Sequence, residues 1–140
     1  MLVGNIGWIM VTQANIMNPP EDWAGSRPEW MFYASLIDLG YQPGDDFTYQ
    51  SPLMGGRLDK GGYVLDFVFN NPPGLAVNVQ GIYYHYELGA DTKARDRFVR
   101  EALASQGVTL IFVDEDDLEQ DPRGVTESAL QFRDSSRLGG

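Results

Sequence analysis

The sequence predicts an α/β protein, a mixed central sheet flanked by helices, with elements in the order helix, three strands, helix, strand, helix. Three observations carry this. Amphipathic runs with their own start and stop residues occupy 26–40 and 91–107, and between them lie short β-rich runs separated by turn residues. After the second amphipathic run comes "VTLIFV" (108–113), apolar throughout, as in a strand covered on both faces. Strands joined by a tight turn run antiparallel, whereas a strand reached through a helix returns parallel to its neighbour, so such a sheet is mixed.

Residues 1–25 read as an apolar N-terminal arm ending in the loop "NPPEDWAGS". The first helix is "SRPEWMFYASLIDLG": Ser26 and Glu29 have capping-box spacing, Pro28 is tolerated in the first turn, and Gly40 stops the run. Strands follow at 47–50 ("FTYQ"), 63–69 ("YVLDFVF") and 75–79 ("LAVNV"), the last two linked by "NNPPG" as in a hairpin. The second helix, 91–106, ends before Gly107; Phe98, Val99, Ala102 and Leu103 are expected to turn inward, with Lys93, Arg97 and Arg100 together on the other side. A last helix is expected at roughly 123–134, before a polar tail at 135–140, so that 26–134 forms a single domain.

Composition narrows the function. A chain of 140 residues can bury a substantial core. No run reaches the roughly 18 apolar residues of a bilayer span, and "MLVGNIGWIMV" lacks the basic start and cleavage site of a signal peptide. The absence of cysteine excludes disulfides and thiolate metal sites and fits a cytoplasmic protein. A net charge of −10 repels nucleic acid at long range. The charge is uneven, however. Lys93, Arg95, Arg97 and Arg100 lie close together, while "DEDDLEQD" crowds acids into 114–121.

One residue breaks its pattern. Asp66 lies amid apolar and aromatic neighbours in a predicted strand, where a carboxylate is costly unless compensated. The bland explanation is a solvent-facing or arginine-paired acid. Against it, Asn78 and Gln80 alternate with Val77 and Val79 in the neighbouring strand, and the hairpin sets their face beside Asp66. Glu29 is a further carboxylate able to point at a sheet end, and the single histidine, His85, follows just past Gly81 in "VNVQGIYYHYE". Carboxylates, amides and an imidazole converging on a sheet edge suit a Mg²⁺ site built of oxygen ligands.

The pieces "SRPEWMFYASLIDLGY", "YVLDF", "VQGIYYH" and "RDRFVREALASQGVTLIFVDEDDL", in this order, resemble the restriction-endonuclease-like (PD-(D/E)XK) nuclease superfamily, and within it the very-short-patch mismatch repair endonucleases and related small nuclease-like domains. The resemblance implies a metal-dependent DNA endonuclease hydrolysing phosphodiester bonds. Asp66 would be the direct metal ligand, the Val79 carbonyl a second, and Glu29 the holder of a metal-bound water. His85 would be the general base, and Gln80 would orient a phosphate oxygen. Asp96 falls at the position of the family's helix acid. Lys93, Arg97 and Arg100 would meet DNA phosphates. The likeness has gaps: Asn78 stands where an acid is usual, no lysine lies near Gln80, and the structural zinc of the mismatch-repair branch cannot be built without cysteine.

These gaps keep a second expectation open: a catalytically degenerate nuclease fold reused as a protein-binding or assembly module, such as a phage virion component. The apolar arm, with Leu2, Ile6, Trp8, Ile9 and Met10, would be its docking segment. Location would then be the host cytoplasm or the virion. For the basic helix face, the plain alternative is a solvated surface with local ion pairs to Asp96 and Glu101. His85 could likewise be an ordinary aromatic-lined histidine.

Overall fold

A computed structural model describes residues 13–51, 65–81 and 90–134. The elements in chain order are α1 (Gln13–Met17), α2 (Arg27–Asp38), β1 (Phe47–Ser51), β2 (Leu65–Phe69), β3 (Leu75–Gln80), α3 (Ala90–Ala104), β4 (Thr109–Asp114), α4 (Glu115–Gln120) and α5 (Pro122–Leu130). The strands form one sheet in the order β1-β2-β3-β4. β1 pairs antiparallel with β2 and β2 antiparallel with β3, whereas β4 lies parallel to β3, Leu75 opposite Thr109 through Gln80 opposite Asp114. The mixed sheet expected from a hairpin followed by a helical crossover is the sheet observed. Among the described residues, no helix is long and apolar enough to cross a membrane.

Each face of the sheet buries its own cluster. One side gathers Phe47, Phe67, Phe69, Leu75, Val77, Ile111 and Val113 against Met31, Phe32 and Leu36 of α2, with Leu118 of α4 and Ala129 of α5. The other gathers Leu65, Ala76, Leu110 and Phe112 against Val99 and Leu103 of α3. Alternate residues of β3 and β4 therefore divide between two apolar layers, which is why "VTLIFV" shows no polar alternation. Aromatic rings dominate the first layer; Phe32 and Phe67, for instance, lie 4.8 Å apart.

α2 begins as its sequence predicts. Ser26 Oγ accepts from Glu29 N at 3.2 Å, and Glu29 Oε1 accepts from Ser26 N at 3.5 Å. Two details add to expectation and two differ from it. The arm ends in the expected loop, but just before it α1 forms, with Ile16 buried in the α2-side cluster and Trp30 Nε1 donating to Asn15 O at 2.6 Å. After β4 a helix that the sequence reading does not include, α4, forms on the acidic run, with Asp114 at its N-cap and acids in its first turn, where they complement the helix dipole. The last helix is α5, ending at Leu130, with Pro122 in its first turn and Asp121 Oδ1 accepting from Gly124 N at 3.1 Å. On α3, Phe98 is 55% exposed while Asp96, Val99 and Leu103 are buried. An inward stripe at i, i+3 and i+7 leaves no room for the residue preceding Val99.

β4 closes one side of the sheet among the described residues. One of its edge donors is covered: Phe112 N donates to Asp134 Oδ1 at 2.9 Å, and Asp134 is held by Arg100 Nη2 at 3.1 Å. Residues 1–12, which carry most of the apolar arm, lie outside the described residues.

Candidate functional site

The site begins where β2 and β3 part. Their register sets Phe67 opposite Val77 and Val68 opposite Ala76. Continued by the same rule, it would place Leu65 opposite Val79, but Leu65 stays paired with Ser51 of β1 instead. β2 also turns over here. Leu65 buries with the α3-side cluster and Phe67 with the α2-side cluster, although they are two residues apart. Asp66 stands at this reversal, in the mouth of a fork between the strands.

Side chains complete the ladder that the backbone abandons. Asp66 N donates to Asn78 Oδ1 at 2.8 Å, and Val79 N donates to Asp66 Oδ2 at 2.8 Å. A strand residue's N–H and C=O face the same neighbour, so the Val79 carbonyl lies along the same edge of β3. Burial above all, then the nearby Glu29 charge, push the Asp66 carboxyl up from 3.8 to about 7, against the opposing pull of the Val79 N–H. Among the described residues no basic side chain pairs with either acid.

Glu29 reaches the fork from the first turn of α2, where the capping box fixes its backbone. Its Oε1 also accepts from the hydroxyl of Tyr49 on β1. Burial, first, and then the bond to Glu29 and the charges of Glu29 and Asp66 hold the Tyr49 phenol far above its ordinary range, so it stays a donor. Trp23 stacks on Tyr49 with centroids 4.9 Å apart. Gly25 runs so close that a Cβ there would collide with Tyr49 Oη.

Of the residues expected from sequence, the structure brings Glu29, Asp66 and Val79 to one fork. Gln80 follows Val79; it is 5% exposed and in register with Asp114 of β4. His85 lies outside the described residues, as does the side chain of Lys93. Arg97 is exposed on α3. Arg100 is drawn onto the protein instead: its Nη2 donates to both carboxylate oxygens of Asp134, and the group sits 4.7 Å from the Phe112 ring centroid. Asp96 is buried and faces the sheet from α3.

Sequence reasoning missed Tyr49 and Gly25. The available signal was the alternation of Phe47 and Tyr49 in "FTYQ", which sets a phenol on an otherwise apolar face. A further carboxylate group lies at the end of β4, where Asp114, Asp116 and Asp117 bring oxygens within 4.8 Å of one another, close enough to hold a metal ion. Asp114 is 1% exposed. With no cysteine in the chain, no zinc–cysteine site exists.

Among the described residues, the fold and fork together define an α/β protein with a four-stranded mixed sheet and acidic side chains gathered at a strand fork. No family model matches the chain, and no curated protein or solved structure matches it either.

Proposed function

We propose that the fork is the centre of a metal-dependent DNA endonuclease. The observation that supports this best is the meeting of Asp66, Glu29 and the β3 edge at Val79, contributed by three separate elements, where the β2–β3 ladder ends. The donor set fits Mg²⁺. It consists of hard oxygen ligands, two of them carboxylates whose mutual repulsion no described basic residue relieves. Asp66 and the Val79 carbonyl would hold the ion directly, and Glu29 would hold it through a water. Bound Mg²⁺ supplies a Lewis acid for the phosphodiester and lowers the pKa of a water. His85, just beyond Gly81 at the end of β3, accepts the proton of the attacking water in this reading. Gln80 orients a phosphate oxygen, while Lys93 and Arg97 provide backbone-phosphate contacts on α3. Arg100 is less suited to that task, being already paired with Asp134.

A second reading, the degenerate fold serving in assembly, draws on a specific observation. Asp66 Oδ2 and Asn78 Oδ1 already serve as acceptors that zip the fork, so part of the donor set is used within the protein. The apolar residues before α1 would then be the partner-binding segment.

Asp66→Ala separates the two. With Mg²⁺ or Mn²⁺, the wild-type protein is expected to cleave duplex or mismatched DNA, and the variant to lose that activity along with metal binding by calorimetry. His85→Ala should slow cleavage by roughly 10²- to 10⁴-fold while sparing metal binding. A wild-type protein that binds neither ion at millimolar levels and leaves DNA intact would remove the enzyme reading in favour of the assembly module.

A further inference from the structure

We propose that Tyr49 is a positioning residue of the fork: its hydroxyl fixes one oxygen of Glu29 so that the other is presented, preformed, to a divalent cation shared with Asp66. The inference rests on the metal-site reading above and adds a residue that the resemblance does not assign.

The capping box alone does not fix this carboxylate. The Ser26 N to Glu29 Oε1 contact is 3.5 Å long, at the limit of a hydrogen bond and correspondingly weak. The Tyr49 hydroxyl converges on the same Oε1. Both donors thus hold one oxygen, and Oε2 carries no hydrogen bond among the described residues. A carboxylate anchored through one oxygen keeps the other as a free ligand atom in a set direction.

Tyr49 can impose that direction because it is itself held. Its ring packs 4.9 Å from Trp23 and 5.1 Å from Phe67. Trp23 is pinned in turn by Nε1 donating to Ser26 O at 2.9 Å, which ties the ring to the N-cap of α2. Gly25 completes the enclosure. Any Cβ there would collide with Tyr49 Oη and approach Glu29 Oε1 to 2.7 Å, so the loop closes over the bond only because position 25 has no side chain. Partners of this kind, which orient a ligand without touching the ion, typically contribute 10- to 100-fold in metal affinity.

The test measures Mn²⁺ binding by calorimetry on the full chain. Tyr49→Phe keeps the ring stacked on Trp23 and removes only the hydroxyl. It is expected to weaken Mn²⁺ binding roughly 10-fold or more, with the metal-free melting temperature little changed. Tyr33→Phe, a neighbouring ring 6.0 Å from Tyr49, is expected to bind Mn²⁺ as the wild type does. Wild-type affinity in Tyr49→Phe, alongside loss of binding in Asp66→Ala, overturns the positioning role and leaves the metal site standing. Wild-type affinity in Asp66→Ala, or no Mn²⁺ binding by the wild type, overturns the metal site and the role of Tyr49 with it. If Tyr49→Phe fails to fold, Gly25→Ala decides by the same readout. It retains the hydroxyl but drives a methyl into the Tyr49–Glu29 bond, and unchanged affinity there overturns the proposal.

Discussion

Two regions of this chain are acidic, and they handle negative charge in opposite ways. At the fork, Glu29 and Asp66 come from distant parts of the sequence into a partly apolar setting, and burial with mutual repulsion raises the Asp66 carboxyl to about 7. Between 114 and 121 the acids are neighbours in sequence and begin helices: Asp114 is the N-cap of α4, Glu115, Asp116 and Asp117 fill its first turn, and Asp121 caps α5. Negative charge at a helix N-terminus is favoured by the dipole, and Asp121 Oδ1 in addition accepts from Gly124 N. The longer acidic run therefore serves the fold, while the sparser pair opposes it. Stored opposition of that kind is a mark of functional sites, though structural networks can produce it as well.

The contrast has a sign that can be measured. Asp66 has a folded-state pKa of about 7 against an ordinary 3.8, so between these values the folded protein holds a proton that the unfolded chain releases. Its contribution to stability is most favourable below about pH 4 and declines as pH rises through 7. Asp66→Asn keeps an acceptor for the Val79 N–H and removes the charge, and should stabilise the protein by about 2 kcal/mol at pH 8, a melting rise of roughly 5–10 °C. The gain should vanish by pH 4 in a thermal melt series. A variant no more stable than wild type at pH 8 would mean that the fork does not oppose the charge.

Asp121→Ala should act in the reverse direction. Losing the cap on Gly124 N should destabilise by about 1 kcal/mol in denaturant unfolding. A neutral or stabilising result would erase the distinction between the two acidic regions. The smallest effect is expected on α3, where polarity and burial are inverted: Asp96 lies inward and Phe98 outward. Phe98→Ser should change stability by less than about 0.5 kcal/mol, since little apolar surface is lost from the core. A larger loss would mean that Phe98 is covered in solution.

Much of the framework was legible because it depends on local signals. The Ser26/Glu29 capping box, the "NNPPG" hairpin and the apolar β4 run each state their structure within a few residues. α4 was hidden because its acidic composition reads first as a charge run, and the N-cap role of Asp114 depends on where β4 stops. Phe98 was misplaced by one position on the helical wheel, an error that periodicity alone invites when an acid takes the inward place. The meeting of Glu29 and Asp66 was legible as an oddity of pattern. The reason for it was not. The end of the β2–β3 ladder at Phe67, the side-chain zipper and the phenol on Glu29 all depend on strand pairing at long range.

The Asp134 carboxylate on the Phe112 N–H has a consequence for how the molecule behaves among its own copies. The outer margin of a sheet is a template on which another extended chain can grow, and an apolar margin such as β4 is the most hazardous kind. Here one of its docking points is taken by an anion, held in place by Arg100. An incoming strand would have to displace that carboxylate and also bring a carbonyl oxygen toward a negative charge. Among the described residues, this ion pair guards the outer margin of the sheet, while both faces of β4 stay apolar beneath the helices that bury them.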